Sequence, residues 1–553
     1  MSGGEPPQGS RGASPVQELA GKAGHGSAGV SPVPEQAGPP GHGQDAHATV
    51  GRHSKPSVAG EIVTALLALA LGVVAFLAIR PAVVVVLAYP YQIDREEGFL
   101  VNQAARLVAG ETIYPPLTDY PYLVGNYTPL YPAVSALMGL LSPSQIGACR
   151  LLTLVSALVA MALVALVTLR FTHSIAAAAL GAAIFPATYD VAHWLPFARE
   201  DFMAAALGVA GMAVFLLAPR RAGLIAAALL FAAAFHTRQT QLFAPAAVLA
   251  VLMMERRWRD AAIFGAVSAG VALLAVAALS IVTGGEFWRH TVTYNANEFD
   301  WWQLRRWMVH LWFFQRWLLL ALPVAGVVLW LARPLASAPE NRAAALAIVY
   351  TLLTAISLVA IAKRGAAANY FIEFHIACAL MAGLAVGFGI RRLRGGVPPR
   401  IGVVLALLAM LLALHAWRLC SPSFLPILAP RPPTAADAEA AAQIAVRIAD
   451  ADGPVISEDV QALLLARRPV LYQSFIMAQL ANEGKWDPSP FLADVAARRF
   501  ALIVTEKPIK EEFYFGFTGE MRDAILASYE LEGSMPAYSI GGRSARFFYF
   551  PRR

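Results

Sequence analysis

Charge is scarce in this 553-residue chain: Asp, Glu, Lys and Arg make up 14% of it, against 58% hydrophobic residues. Soluble domains carry about 25% charged residues, so a string of soluble domains is excluded and a polytopic membrane protein is expected. Cysteine is nearly absent. Cys149, Cys378 and Cys420 are odd in number, widely spaced and set in apolar sequence, which suggests buried thiols and neither a disulfide framework nor a metal site. Residues 1–56 have almost no large apolar side chains and hold 12 Gly and 8 Pro, too little to offset the entropy of ordering. A disordered cytoplasmic tail is expected there. It has no apolar stretch behind a basic start and no small-residue cleavage site, so the first span after it is expected to be an uncleaved anchor. The chain also lacks an internal repeat and any Gly-rich phosphate loop after an expected strand, as suits a protein that needs no bound nucleotide. Its net charge of +7 resides in short Arg clusters between apolar runs, which orient a chain in a bilayer and imply no nucleic-acid partner.

What is present is long apolar sequence. A bilayer core takes about 20 mostly apolar residues per helix, and this template finds eleven spans, near 60–88, 148–169, 174–190, 202–218, 222–236, 241–254, 261–283, 316–332, 343–361, 371–390 and 400–419. With eleven spans, Arg220 and Arg221, Arg256, Arg257 and Arg259, Arg333 and Arg342, and Arg391, Arg392 and Arg394 all fall on one side. The positive-inside rule makes that side cytoplasmic. Segments 89–147, 191–201, 284–315 and 362–370, and everything after 420, then lie outside a cell (inner) membrane. The expected fold is mainly α: a polytopic helix bundle over 57–425 with a large outer loop at 89–147, then an extracytoplasmic α/β domain at 430–553. In that domain the pattern predicts helices at 434–450, 459–467 and 489–498, and strands at Pro454–Ser457, Pro469–Tyr472, Phe500–Thr505 and Arg546–Phe550.

Polar chemistry collects on the outer side. Asp94 is placed to cap a helix with Glu96 and Glu97 in its first turn and an apolar stripe of Leu100, Ala104, Leu107 and Val108, lying along the membrane surface. A second acidic pair, Glu200 and Asp201, follows Arg199 at the mouth of the fourth span, where ionisable groups must be paired, hydrated or useful. His236 and Arg238, Arg289 and His290, Arg305 and Arg306, and Lys363 and Arg364 occupy outer helix ends. As a set they suit an anion such as phosphate, which Arg grips through two hydrogen bonds. Asn369, Tyr370 and Glu373, next to Lys363 and Arg364, are candidate sugar or phosphate contacts. The Trp and Phe residues of 294–317 read as an interfacial belt. Asp450 and Asp452 resemble a metal-binding acidic pair, but beside Gly453 they make an ordinary helix-stop turn.

IDREEG at the start of the first outer loop, followed by YPYLVGNYTPLYP from Tyr120 to Pro132, resembles the GT-C class of membrane glycosyltransferases, in the group of protein O-mannosyltransferases and the lipid A aminoarabinose transferase. The resemblance covers about 60–420. It implies transfer of a hexosyl or pentosyl group from a polyprenyl phosphate to a lipid, glycan or protein acceptor at the outer face. By the same resemblance Asp94 is the base, with Glu97 or Glu96 as alternatives because Arg95 interrupts the usual acidic pair. Asp201 orients the acceptor, and Arg238, Lys363 and Arg364 hold the departing phosphate. No cofactor is required, although Asp94, Glu96, Glu97 and Asp201 have the chemistry to ligate Mg²⁺ or Mn²⁺. The competing expectations are a lipid or glycan transporter or flippase, and a membrane protein that binds glycan without chemistry.

Overall fold

A computed structural model describes residues 57–142, 144–333, 336–393, 399–428, 430–511, 514–540 and 542–553. The expected tail at 1–56 and Arg394 lie outside the described residues. The first half of the chain forms α1 (Val58–Ala88), α2 (Arg95–Val108), α3 (Leu130–Gly139), α4 (Gln145–Thr172), α5 (Ile175–Ile184), α6 (Tyr189–Trp194), α7 (Glu200–Leu217), α8 (Arg221–Thr237), α9 (Phe243–Met254) and α10 (Trp258–Val282). Next come α11 (Glu286–Trp288), α12 (Trp301–Ala332), α13 (Ala338–Ser357), α14 (Ile372–Arg392) and α15 (Pro399–Leu419).

Eight of the eleven expected segments form helices long and apolar enough to cross a membrane; those near 174–190, 222–236 and 241–254 form shorter apolar helices. The run at 174–190 breaks after Ile184, ahead of Pro186, and restarts as α6, since Pro cannot continue the hydrogen-bond ladder. The 294–317 belt is not a loop either: most of it is the first half of α12, whose 32 residues rise about 48 Å.

One helix is wholly internal. Every residue of α14 from Ile372 to Arg391 is buried, and its small residues let neighbours approach as closely as transmembrane packing favours. A Cβ on Gly387 would meet Thr172 at 2.5 Å, and one on Gly383 would meet Thr168 at 3.0 Å. At the periphery, α10 has almost no buried side chain, and Leu273, Leu274, Ile281 and Val282 are exposed, as a lipid-facing surface requires.

After the short α16 (Leu425–Leu428) come α17 (Ala435–Ala449), β1 (Val455–Ser457), α18 (Val460–Leu465), α19 (Ser474–Asn482), α20 (Ser489–Ala496), β2 (Leu502–Thr505), α21 (Gly519–Ser528), β3 (Tyr529–Ser539) and β4 (Gly542–Pro551). They build one sheet in the order β1-β2-β4-β3, with β1 parallel to β2 and the other pairs antiparallel. The strand expected at Pro469–Tyr472 is instead a single bridge to the segment between α2 and α3, where Tyr122 N–H donates to Leu471 O at 2.8 Å and Gln473 N–H to Tyr122 O at 3.0 Å. The unforeseen β3 carries Gly533, Pro536 and a register shift between Leu531 and Gly533, which hide the alternation that marks a strand.

The expected cap at Asp94 is present: its carboxylate accepts from Glu96 N–H at 3.1 Å. The helix it starts does not lie bare on a membrane surface. Residues 97–104 are all buried, with Phe99 packed among Val460, Leu463 and Leu123, and Val101 among Ile146 and Ala198. Beneath it, Glu97 and Arg150 are withdrawn from solvent, joined by Nε to Oε1 at 2.7 Å and Nη2 to Oε2 at 2.8 Å. Arg150 also donates to the carbonyls of Tyr89 and Tyr91. Breaking a buried pair strands a charge, so Arg150→Met is expected to destabilise the fold by about 3–5 kcal/mol. Thermal unfolding in detergent micelles checks this; an unchanged midpoint would deny Arg150 that role.

Candidate active site

The site is assembled from helix ends. Glu200 and Asp201 lie in the first turn of α7, where the helix dipole favours carboxylates, and Arg238 caps the C-terminus of α8, where it favours cations. Asp201 forms an ion pair with Arg238 and accepts from Asn369 Nδ2 at 3.2 and 3.1 Å. The Arg238 guanidinium also lies over the Tyr370 ring at 4.6 Å and the Tyr127 ring at 5.8 Å. On the other side of α7's first turn, Arg199 donates to Asp94 and stacks over Trp194 at 4.5 Å. Asp94 and Asp201 therefore belong to one connected group, joined through Arg199 and the start of α7.

Much of this polarity is unanswered by protein. Arg238 is 3% exposed, yet among the described residues its Nε and one Nη find no hydrogen-bond partner; nor do Arg199 Nε, either oxygen of Glu200, or one oxygen of Glu373. Buried polar groups are normally satisfied, and a concentration of unsatisfied ones needs a specific explanation. Here the unsatisfied atoms gather around the first turn of α7 and the end of α8. Lys363 borders them, donating to Asn295 Oδ1; burial, with Arg238 and Lys485 nearby, pulls its ammonium down to about 8.

The structure separates the expected site residues. Asp94, Arg199, Glu200, Asp201, Arg238, Lys363, Asn369 and Tyr370 come together, with Glu373 in electrostatic reach of Arg238 beside Tyr350 and Gln241. Asp94 is held through Oδ2 alone, while Oδ1 accepts no hydrogen bond and the side chain stays 27% exposed. Glu96 is partly exposed beside Asp94, and desolvation raises its carboxyl above the usual range. Glu97 has no free valence: besides Arg150, it accepts from Ala198 N–H at 2.8 Å and Ile93 N–H at 3.2 Å. His236 turns away to the Ala272 carbonyl, and Arg364 pairs with Glu298 at the exposed surface. His290 is no cation. Gly125 N–H donates to its Nδ1 at 3.0 Å and its Nε2 meets Pro115 O at 2.8 Å, so a neutral ring pins the segment between α2 and α3; burial pushes its pKa down to about 4.

Arg95, which interrupts the acidic motif, leaves the site for Glu458 at 3.1 Å and Phe475. It fastens α2 to the C-terminal sheet. Two contributors escaped the sequence reading. Arg150 sits within the span read at 148–169, and a charge there was itself a signal. Lys485 belongs to a segment remote in sequence, and nothing local marks it. Among the described residues no group of three or more His, Cys, Asp or Glu is placed to hold a metal ion.

The crystal structure of ArnT from Cupriavidus metallidurans bound to undecaprenyl phosphate aligns with 89% of this chain and 98% of its own, with TM-score 0.54 at 16% identity. The fold is ArnT-like. The apo state of ArnT aligns over the same shares with TM-score 0.53 at 15% identity. An oligosaccharyltransferase from Archaeoglobus fulgidus, crystallised with Zn and sulfate, aligns with 86% of this chain and 72% of its own at TM-score 0.48 and 14% identity. No protein-family model and no curated protein sequence matches the chain. The ArnT-like fold, with its long apolar helices and small C-terminal sheet, agrees with the helix bundle and C-terminal α/β domain expected from the sequence.

The Lys363 charge sets a pH dependence. A lowered pKa means that the cation is present below about 8 and lost as pH rises through that value. Binding of an inorganic phosphate probe beside Lys363 is expected to weaken between pH 7 and 9, and Lys363→Arg should flatten the profile. A profile identical in both proteins removes Lys363 from the anion site.

Proposed function

We propose that the protein transfers a sugar from a polyprenyl phosphate to an acceptor hydroxyl at the outer membrane boundary. The observation that carries the reading is Arg238, a buried guanidinium with unanswered N–H groups, set beside Lys363 and joined through Asp201 and Arg199 to the open carboxylate of Asp94. The ArnT-like fold supports it, because ArnT was crystallised with undecaprenyl phosphate. In this reading the N-terminal side is cytoplasmic and the C-terminal sheet lies outside.

Asp94 Oδ1 takes the proton from the acceptor hydroxyl, whose oxygen attacks the anomeric carbon as the bond from that carbon to the phosphate oxygen breaks. The electron pair leaves with the polyprenyl phosphate. Arg238 and Lys363 neutralise the charge that develops there, an effect strongest where water is excluded. Asp201 and Asn369 hold the acceptor side, and Asp201 keeps Arg238 oriented. Glu97 serves by position: it fixes the start of α2 and hence Asp94. A lipid tail stays in the bilayer while the sugar meets water, as a site built from outer helix ends allows.

The test is a panel of polyprenyl phosphate sugars presented to the purified protein in lipid nanodiscs, with and without chelator. Asp94→Asn is expected to lower turnover by about 10²–10⁴-fold with donor binding retained. Full transfer by this variant would overturn the assignment. So would movement of labelled lipid across vesicles without glycosylated product, the result a flippase gives.

A further inference from the structure

A second group of cations lies where α12 meets the end of α15. Arg418, in the last turn of α15, donates through Nη2 to Phe313 O at 2.8 Å and stacks on Phe424 at 4.2 Å and Phe313 at 5.2 Å. Its Nε is buried without a hydrogen-bond partner. Arg316, three residues after Phe313, is its charged neighbour and stacks over Trp317 at 5.6 Å. Among the described residues neither guanidinium pairs with a carboxylate. Around them Trp312, Phe313 and Trp417 are exposed to the surroundings.

Stacking occupies the face of a guanidinium and leaves its in-plane N–H groups able to donate. Two like charges brought together from separate helices repel, and beside hydrocarbon that repulsion is poorly screened. An anion between them removes it. The anion that reaches a lipid-facing surface ringed by Trp and Phe is a lipid phosphate, and Arg is suited to it by its fork of donors.

We infer that Arg316 and Arg418 form a site for the headgroup phosphate of an anionic phospholipid, in the leaflet on the side of the C-terminal sheet. It faces the surrounding bilayer, whereas Arg238 is enclosed, so it holds bulk lipid and not the reacting carrier. The bound lipid would clamp α12 to α15 at their shared end. This site stands whether or not the protein transfers sugar.

Full-length protein in neutral detergent micelles, titrated with dansyl-labelled phosphatidylglycerol and read by energy transfer from Trp, tests it. Saturable binding is expected, displaced by unlabelled phosphatidylglycerol and not by phosphatidylcholine. Arg316→Gln with Arg418→Gln should weaken it by about tenfold or more. Should the double variant fail to fold, Arg316→Gln carries the test alone, since that side chain holds no hydrogen bond whose loss would disturb the helix. Equal displacement by phosphatidylcholine, stronger displacement by undecaprenyl phosphate, or undiminished binding by a folded variant overturns the proposal.

Discussion

Everything at the candidate site depends on one carboxylate taken wholly out of water. Glu97 is met on all sides, by the Arg150 fork and by the N–H groups of Ile93 and Ala198. Those partners belong to three stretches of chain: the entry to α2, the start of α4 and the approach to α7. A buried charge tolerates little displacement, because each lost partner leaves an unpaired ion. The pair therefore sets where α2 begins relative to α7, and so brings Asp94 against Arg199 and into line with Asp201.

The same helices show how fixed and open polarity are divided. Glu97, Arg150, Arg95 and Glu458 are paired and face one another across packed elements. Arg238, Glu200 and Glu373 retain buried atoms without partners. The first set holds the scaffold, and the second is the set on which the proposed transfer rests. Helix ends make this possible: the start of α7 and the end of α8 stabilise opposite charges with partial charges of the backbone itself.

Several features were legible from local pattern. The Asp94 cap, the apolar runs that became α1, α4, α7, α10, α13, α14 and α15, and strands β1, β2 and β4 all follow from signals a few residues long. Where the reading departed from the structure, a distant partner was the reason. Arg95 looked like an intruder in the acidic motif because Glu458, 363 residues away, cannot be seen from IDREEG. His290 and Arg364 looked like phosphate ligands because their actual partners, Pro115 and Gly125 for the one and Glu298 for the other, come from loops that only the fold brings near.

Hydropathy alone determined that this chain crosses a bilayer many times, since no arrangement in water could bury so many Ala, Leu and Val side chains. Spacing alone determined that a helix begins at Asp94. Which ionisable groups are structural and which are free was decided only by the folded chain, because a charge at low dielectric takes its meaning from the partners within a few ångströms. Those partners lie tens to hundreds of residues away.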